Sequence, residues 1–171
     1  ILVFGGSLGA KAFNQLLPSI FKIINDKNKL SITHQSGENM FDLLKESYKG
    51  ACFKVEIKKY IFDMEKKYNW ADIVIARSGA LTVSELIASG TASILIPYPS
   101  AVDDHQYFNA KILEDASAAE IIREKDLEKK LISILAKIDR TKCKNMALKA
   151  KKLHNYNACN EVLKTCNALL K

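Results

Sequence analysis

The segment DDHQYFNA, residues 103–110, concentrates polar side chains that could carry chemistry, and it directly follows an apolar run that contains two prolines. The chain has three histidines in all, and one of them lies here. Two acids beside a histidine could bind a metal ion, take part in acid–base chemistry or hold a ligand. Two acids that cap a helix are the structural alternative. The polar side chains of the segment are Asp103, Asp104, His105, Gln106 and Asn109.

The loop GGSLGA, residues 5–10, lies between an apolar strand and a helical pattern, as phosphate-binding loops do. Gly5, Gly6 and Gly9 would let the backbone approach a phosphate, and the helix N-terminus would offer free N–H groups. Their spacing differs from the dinucleotide fingerprint, and the alanines on both sides of Lys11 replace residues that a P-loop requires. A tight turn without a ligand is the alternative.

The segment RSGALTVSE, residues 77–85, predicts a second helix N-terminus. Leu81, Thr82 and Glu85 share one face of this helix through i, i+3 and i, i+4 spacing. A carboxylate one turn into a ligand-facing helix can accept hydrogen bonds from both hydroxyls of a diol, and ribose is the obvious diol near a phosphate site. In the alternative interpretation Ser78 caps the helix and Glu85 is a solvated charge.

The elements that must position these segments alternate between strand and helix, which predicts an α/β fold with a parallel sheet covered on both faces. Ligands bind such sheets at the carboxyl ends of the strands, where all three segments fall. We expect Pro18 to kink the first helix or to start a new turn, Gly90 to end another, and two helices to follow the last strand. The predicted strands are 1–4, 30–37, 51–60, 72–76, 92–99 and 117–123.

The length of 171 residues fits one domain, predicted over 1–155, with an appended helix over 156–171. The net charge of +7 arises after residue 122, where 13 basic residues face 5 acidic ones. A basic tail can meet nucleic acid or an anionic membrane, but no nucleic-acid motif accompanies it, so a solvated helical face is favoured. We expect neither a membrane-spanning stretch nor a signal peptide, because no apolar run is long enough for a spanning helix. Cys52, Cys143, Cys159 and Cys166 are expected to be reduced core or helix-face thiols of a cytoplasmic protein.

Five segments resemble, in order and spacing, the C-terminal donor-binding half of the MurG family: GGSLGAKAFN, THQSG, YIFDM, WADIVIARSGALTVSELIASGTASILIPYP and DDHQYFNA. The likeness covers nearly the whole chain. The family adds N-acetylglucosamine to lipid I, giving lipid II in peptidoglycan synthesis. The resemblance implies a Rossmann-like domain, the C-terminal half of a GT-B glycosyltransferase. Because the chain begins without Met inside an apolar strand, we expect it to be the back part of something longer. The resemblance implies that the missing part is an N-terminal acceptor domain with a membrane-docking patch.

The resemblance also assigns residues to a UDP-GlcNAc site that needs no metal or other cofactor. Ser7 and the glycine loop would contact the diphosphate, the Ile61 main chain would pair with uracil, and Tyr60 would pack beside the base. Phenylalanine is common in the family where Tyr60 stands, a change that hardly alters stacking. Glu85 would bind ribose. The diphosphate and sugar would be lined by Ala80, Leu81 and Thr82, and the N-acetylglucosamine hydroxyls would be recognised by His105, Gln106 and Asn109.

The implied reaction is an inverting displacement in which the C4 hydroxyl of lipid I attacks the anomeric carbon and UDP leaves. The general base is expected in the missing domain, and neither His34 nor His105 is expected to replace it. The expected partners are UDP-GlcNAc and, through the missing domain, lipid I, with no nucleic acid and only peripheral attachment to the cytoplasmic face of the membrane. The chain alone is expected to bind UDP-GlcNAc weakly and to be inactive.

Two other interpretations remain open at the level of sequence. The chain could be the donor-binding subunit of a split N-acetylglucosaminyltransferase, whose acceptor site lies on a separate polypeptide. It could also be a non-catalytic module that senses sugar nucleotides, which would bind its ligand tightly without a partner.

Overall fold

A computed structural model describes residues 1–25, 30–155 and 157–169. The described part contains one sheet of six parallel strands in the order β3-β2-β1-β4-β5-β6. This confirms the predicted α/β class. The strands are shorter than the apolar runs that predicted them: β1 Leu2–Phe4, β2 Ser31–Gln35, β3 Lys54–Lys58, β4 Val74–Ala76, β5 Ser93–Leu95 and β6 Ala119–Ile121.

The helices follow the strands in the predicted alternation, but the expectation for the end of the chain is wrong. Three helices rather than two follow β6 in the described part, because Asp139 interrupts the pattern and caps a new helix by accepting a hydrogen bond from the Lys142 N–H at 2.7 Å. The helices are α1 Lys11–Ile24, α2 Phe41–Ser47, α3 Met64–Trp70, α4 Ala80–Ser89, α5 His105–Asp115, α6 Leu127–Leu135, α7 Arg140–Lys152 and α8 Ala158–Leu169.

The expectations for Pro18 and Gly90 have different outcomes. α1 runs through Pro18 as one helix, so the helix does not start anew there, and the kink stays a prediction. The ring is buried on the inner face of α1 and removes only one backbone donor. Gly90 ends α4 as predicted, in the left-handed conformation with φ of 64°.

The core has two layers because successive residues of a strand face opposite sides of the sheet. Val3 of β1 belongs to a buried cluster with Phe13 and Leu17 of α1. Leu2 and Phe4, its neighbours on β1, belong to the cluster on the other face, which includes residues of α4 and α5. Helices therefore cover both faces, as the continuously apolar strands required.

The order of the strands creates a crevice at the carboxyl end of the sheet. β1 pairs with β2 on one side and with β4 on the other, so the connections after β1 and β4 lead to different parts of the sheet. Such a switch point separates neighbouring loops and leaves room for a ligand between them.

α8 is the exception to this packing, because every residue from 157 to 169 is exposed. Leu163 and Leu169 expose 59% and 82% of their surface, as expected for a helix that does not pack on this domain; Leu170 lies outside the described residues. No helix in the described ranges has the length and hydropathy to cross a membrane. All four cysteines are free, and one expectation for them is wrong: Cys52 lies exposed in the turn before β3, neither in the core nor on a helix.

Candidate ligand site at the carboxyl ends of the strands

The glycine loop forms one wall of an open cavity of about 510 Å³. Residues that follow β4, β5 and β6 form the opposite wall, so the cavity lies at the switch point of the sheet. Gln106 is the one residue of the DDHQYFNA segment that reaches it. The lining residues are Gly5, Gly6, Ser7, Leu8, Gly9, Ala10, Lys11, Ala12, Arg77, Tyr98, Gln106 and Glu124.

Glycine is needed in this loop for packing as well as for any ligand. Gly9 has φ of 74°, and a Cβ atom there would lie 2.0 Å from the Ser36 carbonyl oxygen. Gly37 has φ of 77°, and a Cβ atom there would lie 2.1 Å from the Leu8 carbonyl oxygen. The loops after β1 and β2 therefore pack backbone against backbone, a contact that any side chain would prevent.

The first turn of α1 offers free donors to the cavity. Its first helical hydrogen bond runs from the Asn14 N–H to the Ala10 carbonyl at 3.0 Å, so the three N–H groups before Asn14 have no acceptor within the helix. They carry the positive end of the helix dipole. Ser7 is exposed at the rim, where its hydroxyl is accessible to a ligand. An anion in the cavity would thus meet several N–H donors.

Arg77 supplies a positive charge to the same cavity, and the sequence analysis did not select it although it begins the segment RSGALTVSE. Its guanidinium donates to the carbonyls of Ile96 at 3.1 Å and Pro97 at 3.2 Å and forms an ion pair with Glu124. It also lies over the ring of Tyr98, 5.4 Å from the centroid. With only 11% of its side chain exposed, Arg77 is fixed at one position in the cavity wall.

Gln35 connects the glycine loop to the segment YIFDM and was also missed. Its Nε2 donates to the Gly6 carbonyl at 2.7 Å, and its Oε1 accepts from the Ile61 N–H at 2.8 Å. The Ile61 main chain was expected to pair with uracil. Its N–H is engaged inside the protein, so a base must use the Ile61 carbonyl or displace Gln35. The available signal was position, because Gln35 ends β2 beside both segments.

The N-terminus of α4 presents a second set of free donors. The first helical bond of α4 joins the Val83 N–H to the Gly79 carbonyl at 3.0 Å, which leaves the N–H groups of Ala80, Leu81 and Thr82 without helical acceptors. Ala80 and Leu81 are exposed and Thr82 is partly exposed.

Ser78 does not cap this helix, contrary to the alternative interpretation. Its hydroxyl is buried and donates to the Gln106 carbonyl at 2.7 Å. Asn109 Nδ2 donates to the Ser78 carbonyl at 3.2 Å. Ser78 therefore connects the RSGALTVSE and DDHQYFNA segments. Asn109, a candidate ligand, adds a second hydrogen bond between the same segments.

The start of α5 fixes the other polar side chains. Gln106 Oε1 accepts from the Tyr98 N–H at 3.0 Å, which holds the amide beside the cavity. His105 is exposed, and its Nδ1 donates to the Val102 carbonyl at 2.8 Å, which leaves Nε2 of the neutral ring as an acceptor.

Asp104 makes an ion pair instead of capping α5. Its two oxygens accept from Arg123 at 2.7 and 2.6 Å, and these hydrogen bonds keep the pKa of the carboxyl below its usual range. No side-chain cap is formed at the start of α5. Within the described ranges no cluster of three or more histidine, cysteine or acidic side chains could hold a metal ion.

Glu85 and Ile61 do not line the glycine-loop cavity. Glu85 is exposed and accepts a 2.7 Å hydrogen bond from the Tyr68 hydroxyl, in a separate hollow of about 490 Å³. Tyr68 and Ile61 share a buried cluster. Tyr60 is 47% exposed, and its ring contacts that of Phe62 with centroids 4.9 Å apart. Glu85, the expected ribose ligand, thus lies in a different hollow from the glycine loop, whereas Gln35 connects Ile61 to that loop.

His34 cannot act on an external substrate in this structure. It is fully buried, with Nδ1 2.9 Å from the Tyr48 hydroxyl oxygen. Burial lowers the pKa of His34 to about 3. Of the two local histidines, only His105 is accessible.

Comparison with known proteins supports the resemblance drawn from the sequence. The model for the glycosyltransferase family 28 C-terminal domain matches residues 1–163. A curated relative named UDP-N-acetylglucosamine–N-acetylmuramyl-(pentapeptide) pyrophosphoryl-undecaprenol N-acetylglucosamine transferase, from Wigglesworthia glossinidia brevipalpis, is 44% identical over 99% of this chain and 47% of its own length. A relative of the same name from Dechloromonas aromatica (strain RCB) is 38% identical over 100% of this chain and 49% of its own length.

Solved structures agree with the sequence relatives. The crystal structure of MurG from Acinetobacter baumannii has a TM-score of 0.89 and 37% identity, covering 96% of this chain and 48% of that protein. The glycosyltransferase VinC, solved with dTDP, is 16% identical with a TM-score of 0.64 and shares the fold alone. This chain spans about half the length of the curated relatives that it matches. With a family match over 163 of its 171 residues, the chain belongs to the family of glycosyltransferase family 28 C-terminal domains.

Proposed function

We propose that this chain binds UDP-GlcNAc and forms the donor half of an inverting transferase that adds N-acetylglucosamine to lipid I. The names of its relatives give the donor sugar and an acceptor on undecaprenyl pyrophosphate. The observation that carries the proposal is the cavity in which the glycine loop, Arg77 and Gln106 meet. It combines donors for a diphosphate with an amide suited to a sugar hydroxyl.

The diphosphate would lie against the glycine loop, Ser7 and the first turns of α1 and α4. Negative charge increases on this group as UDP leaves the anomeric carbon. Backbone N–H groups fixed in advance stabilise that charge without reorganisation, and the dipoles of two helices add to the effect. The guanidinium of Arg77 lies in the same cavity wall, where the carboxylate of Glu124 offsets part of its positive charge. These groups would provide the electrostatic part of catalysis from this chain.

The uridine would extend from the glycine loop toward Ile61 and toward the hollow that contains Glu85. There the Ile61 carbonyl and the half-exposed Tyr60 ring would meet the base, and Glu85 would accept hydrogen bonds from the ribose hydroxyls. The Tyr68 hydroxyl supports this role because it holds the carboxylate of Glu85 by a 2.7 Å hydrogen bond.

The N-acetylglucosamine would contact the start of α5. Gln106 can donate from Nε2 to a hydroxyl while its Oε1 remains bonded to the Tyr98 N–H. Nε2 of His105 can accept from a second hydroxyl, and Asn109 contributes its carbonyl oxygen. Buried groups aimed at particular hydroxyls reject an epimer, because the wrong configuration leaves them unpaired.

The acceptor hydroxyl and its general base would come from a part of the enzyme other than this chain. General-base assistance typically contributes 10²- to 10⁴-fold, so the chain alone should transfer essentially no sugar. The lipid acceptor also places the complete enzyme at a membrane surface. We therefore propose peripheral attachment on the cytoplasmic face, mainly through the acceptor domain.

The direct test is calorimetric titration of the purified chain with UDP-GlcNAc, UDP-GalNAc, UDP and NAD. We expect binding that prefers UDP-GlcNAc to its C4 epimer and no binding of NAD. A Gln106→Ala variant should lose about 10-fold in affinity for UDP-GlcNAc, the effect of one hydrogen bond, and should bind UDP as before.

The matched control is Gln15→Ala, which removes an exposed glutamine from the outer face of α1 and should leave every affinity unchanged. A folded chain that binds none of the uridine ligands, or that binds both epimers equally well, would contradict the proposal. Tight binding together with no transfer after addition of an acceptor domain would favour the non-catalytic sensor instead.

A further inference from the structure

The turn before α5 has an unusual backbone. Asp103 and Asp104 both have positive φ angles, 49° and 54°, with ψ of 25° and 26°. Two consecutive non-glycine residues in the left-handed region are rare, although aspartate tolerates it better than most residues do. Such a conformation persists only where the surroundings hold it. The next two residues are His105 and Gln106, so this turn decides where the candidate sugar ligands point.

Arg123, two residues after the end of β6, holds the turn from outside the segment. Its guanidinium donates to both carboxylate oxygens of Asp104, at 2.7 and 2.6 Å. The same guanidinium lies over the ring of Tyr107, 4.0 Å from the centroid. One side chain therefore contacts the residues on both sides of the His105–Gln106 pair.

We propose that Arg123 is a positioning residue for the sugar subsite. By fixing Asp104 and Tyr107, it would hold Gln106 and His105 in the orientation that distinguishes one sugar hydroxyl configuration from another. This inference rests on the proposed function, and it adds a determinant of donor specificity that does not itself touch the ligand.

The ion pair is half-exposed, which limits the size of the expected effect. The side chains of Arg123 and Asp104 are 39% and 40% exposed, so solvent screens their attraction. The planar two-bond geometry and the aromatic contact make the pair more directional than a single surface contact. Arg123 should therefore matter more for the orientation of the turn than for the stability of the domain.

The test compares the affinities of Arg123→Met for UDP, UDP-GlcNAc and UDP-GalNAc with those of the unmodified chain. We expect affinity for UDP-GlcNAc to fall about 3- to 10-fold, preference over UDP-GalNAc to shrink by a similar factor, and affinity for UDP to stay within about 2-fold. Arg123→Lys keeps the positive charge but cannot donate the two parallel hydrogen bonds of a guanidinium. It should show a smaller loss of UDP-GlcNAc affinity and preference. Arg140→Met is the control, because Arg140 pairs with Asp72 at the opposite end of the sheet.

Two further measurements separate positioning from a general loss of structure. Asp104→Asn should produce the same selective loss, and combining it with Arg123→Met should add little. Hydrogen exchange of residues 101–107 should increase in Arg123→Met while the strands stay protected, a readout that needs no ligand. The inference is overturned if UDP and UDP-GlcNAc affinities fall together, or if neither affinity nor exchange changes. No binding by the unmodified chain would instead overturn the proposed function.

Discussion

Gln35 and Ser78 are buried polar residues whose hydrogen bonds join segments that are distant in the sequence. Gln35 links the glycine loop to Ile61, and Ser78 links the α4 N-terminus to Gln106. Sequence reasoning selected candidate ligand-binding residues but gave no partners for them. A hydrogen bond between distant residues depends on tertiary packing, which periodicity does not record. The same limit explains why Arg77 was not selected, since its role depends on carbonyls that follow β5 and on Glu124, which follows β6.

His34 makes the free energy of unfolding dependent on pH. Burial lowers its pKa in the folded chain to about 3, whereas an unfolded histidine titrates near 6.5. Below pH 6.5 the unfolded chain therefore binds a proton that the folded chain excludes, and stability falls as pH decreases toward 3. Between pH 7 and 5 this amounts to about 2 kcal/mol, at roughly 1.4 kcal/mol per pH unit below 6.5.

Urea unfolding at pH 7 and pH 5 checks this expectation. His34→Gln stays neutral at both values, so its stability should change less between them than that of the unmodified chain. His105→Gln serves as the control, because His105 is exposed and its replacement should leave the pH dependence intact. Equal pH dependence in His34→Gln and in the unmodified chain would show that His34 is not the group responsible.

At the scale of elements, the alternating strand and helix patterns predicted every strand that the structure shows, in order. The paired portions are shorter because apolar runs such as 92–99 continue past the last ladder hydrogen bond into the site loops. The number of C-terminal helices was wrong, since polar capping by Asp139 outweighed the continuous helical propensity of that region. Loop-to-loop packing was not predictable at all, because it depends on which strands become neighbours.

The packing of the glycine loop against the loop after β2 gives a prediction at this scale. Gly37→Ala would place a Cβ atom 2.1 Å from the Leu8 carbonyl oxygen and would force alanine to φ of 77°. We expect it to destabilise the chain by more than about 2 kcal/mol, from strain and from separation of the two loops. Affinity for UDP should fall as well, because the displaced loop carries the expected diphosphate donors.

Gly50→Ala is the matched control for this prediction. Gly50 has φ of 72°, but a Cβ atom there would meet nothing within 4 Å. The left-handed backbone conformation should therefore destabilise the variant by only about 1–2 kcal/mol, and its affinity for UDP should be unchanged. Thermal unfolding and calorimetry on both variants measure the two effects. Similar losses of affinity in both variants would show that the loop contact is unimportant for the site.

For the whole molecule, the sequence resemblance anticipated the architecture, and the A. baumannii MurG structure superposes with a TM-score of 0.89. The basic tail was expected to be solvated. The structure shows an exposed helix α8 that carries apolar residues, among them Val162 and Leu163, which are 63% and 59% exposed. The sequence predicted an appended helix over 156–171 but not how far its side chains would be exposed, because its amphipathic pattern resembles that of a packed helix.

Removal of α8 tests its independence from the domain. A chain that ends at Asn155 should keep its melting temperature within about 2 °C, since exposed residues contribute little to stability. It should also bind UDP-GlcNAc unchanged and should self-associate less, because Val162 and Leu169 no longer offer apolar surface. Differential scanning calorimetry and light scattering measure these effects. A drop in melting temperature of many degrees would mean that α8 packs on the domain in solution.

The central position of β1 has a consequence for how the chain is made. Leu2 pairs with Val74, so one edge of this fully buried strand stays open until β4 has been synthesised. At roughly 5–20 residues per second, a ribosome needs several seconds to supply the intervening chain. During that interval an apolar strand edge is available to other nascent chains. The yield of folded domain should therefore depend on the supply of chaperones and on the rate at which the ribosome translates the chain up to residue 76. It should depend less on the stability of the finished fold.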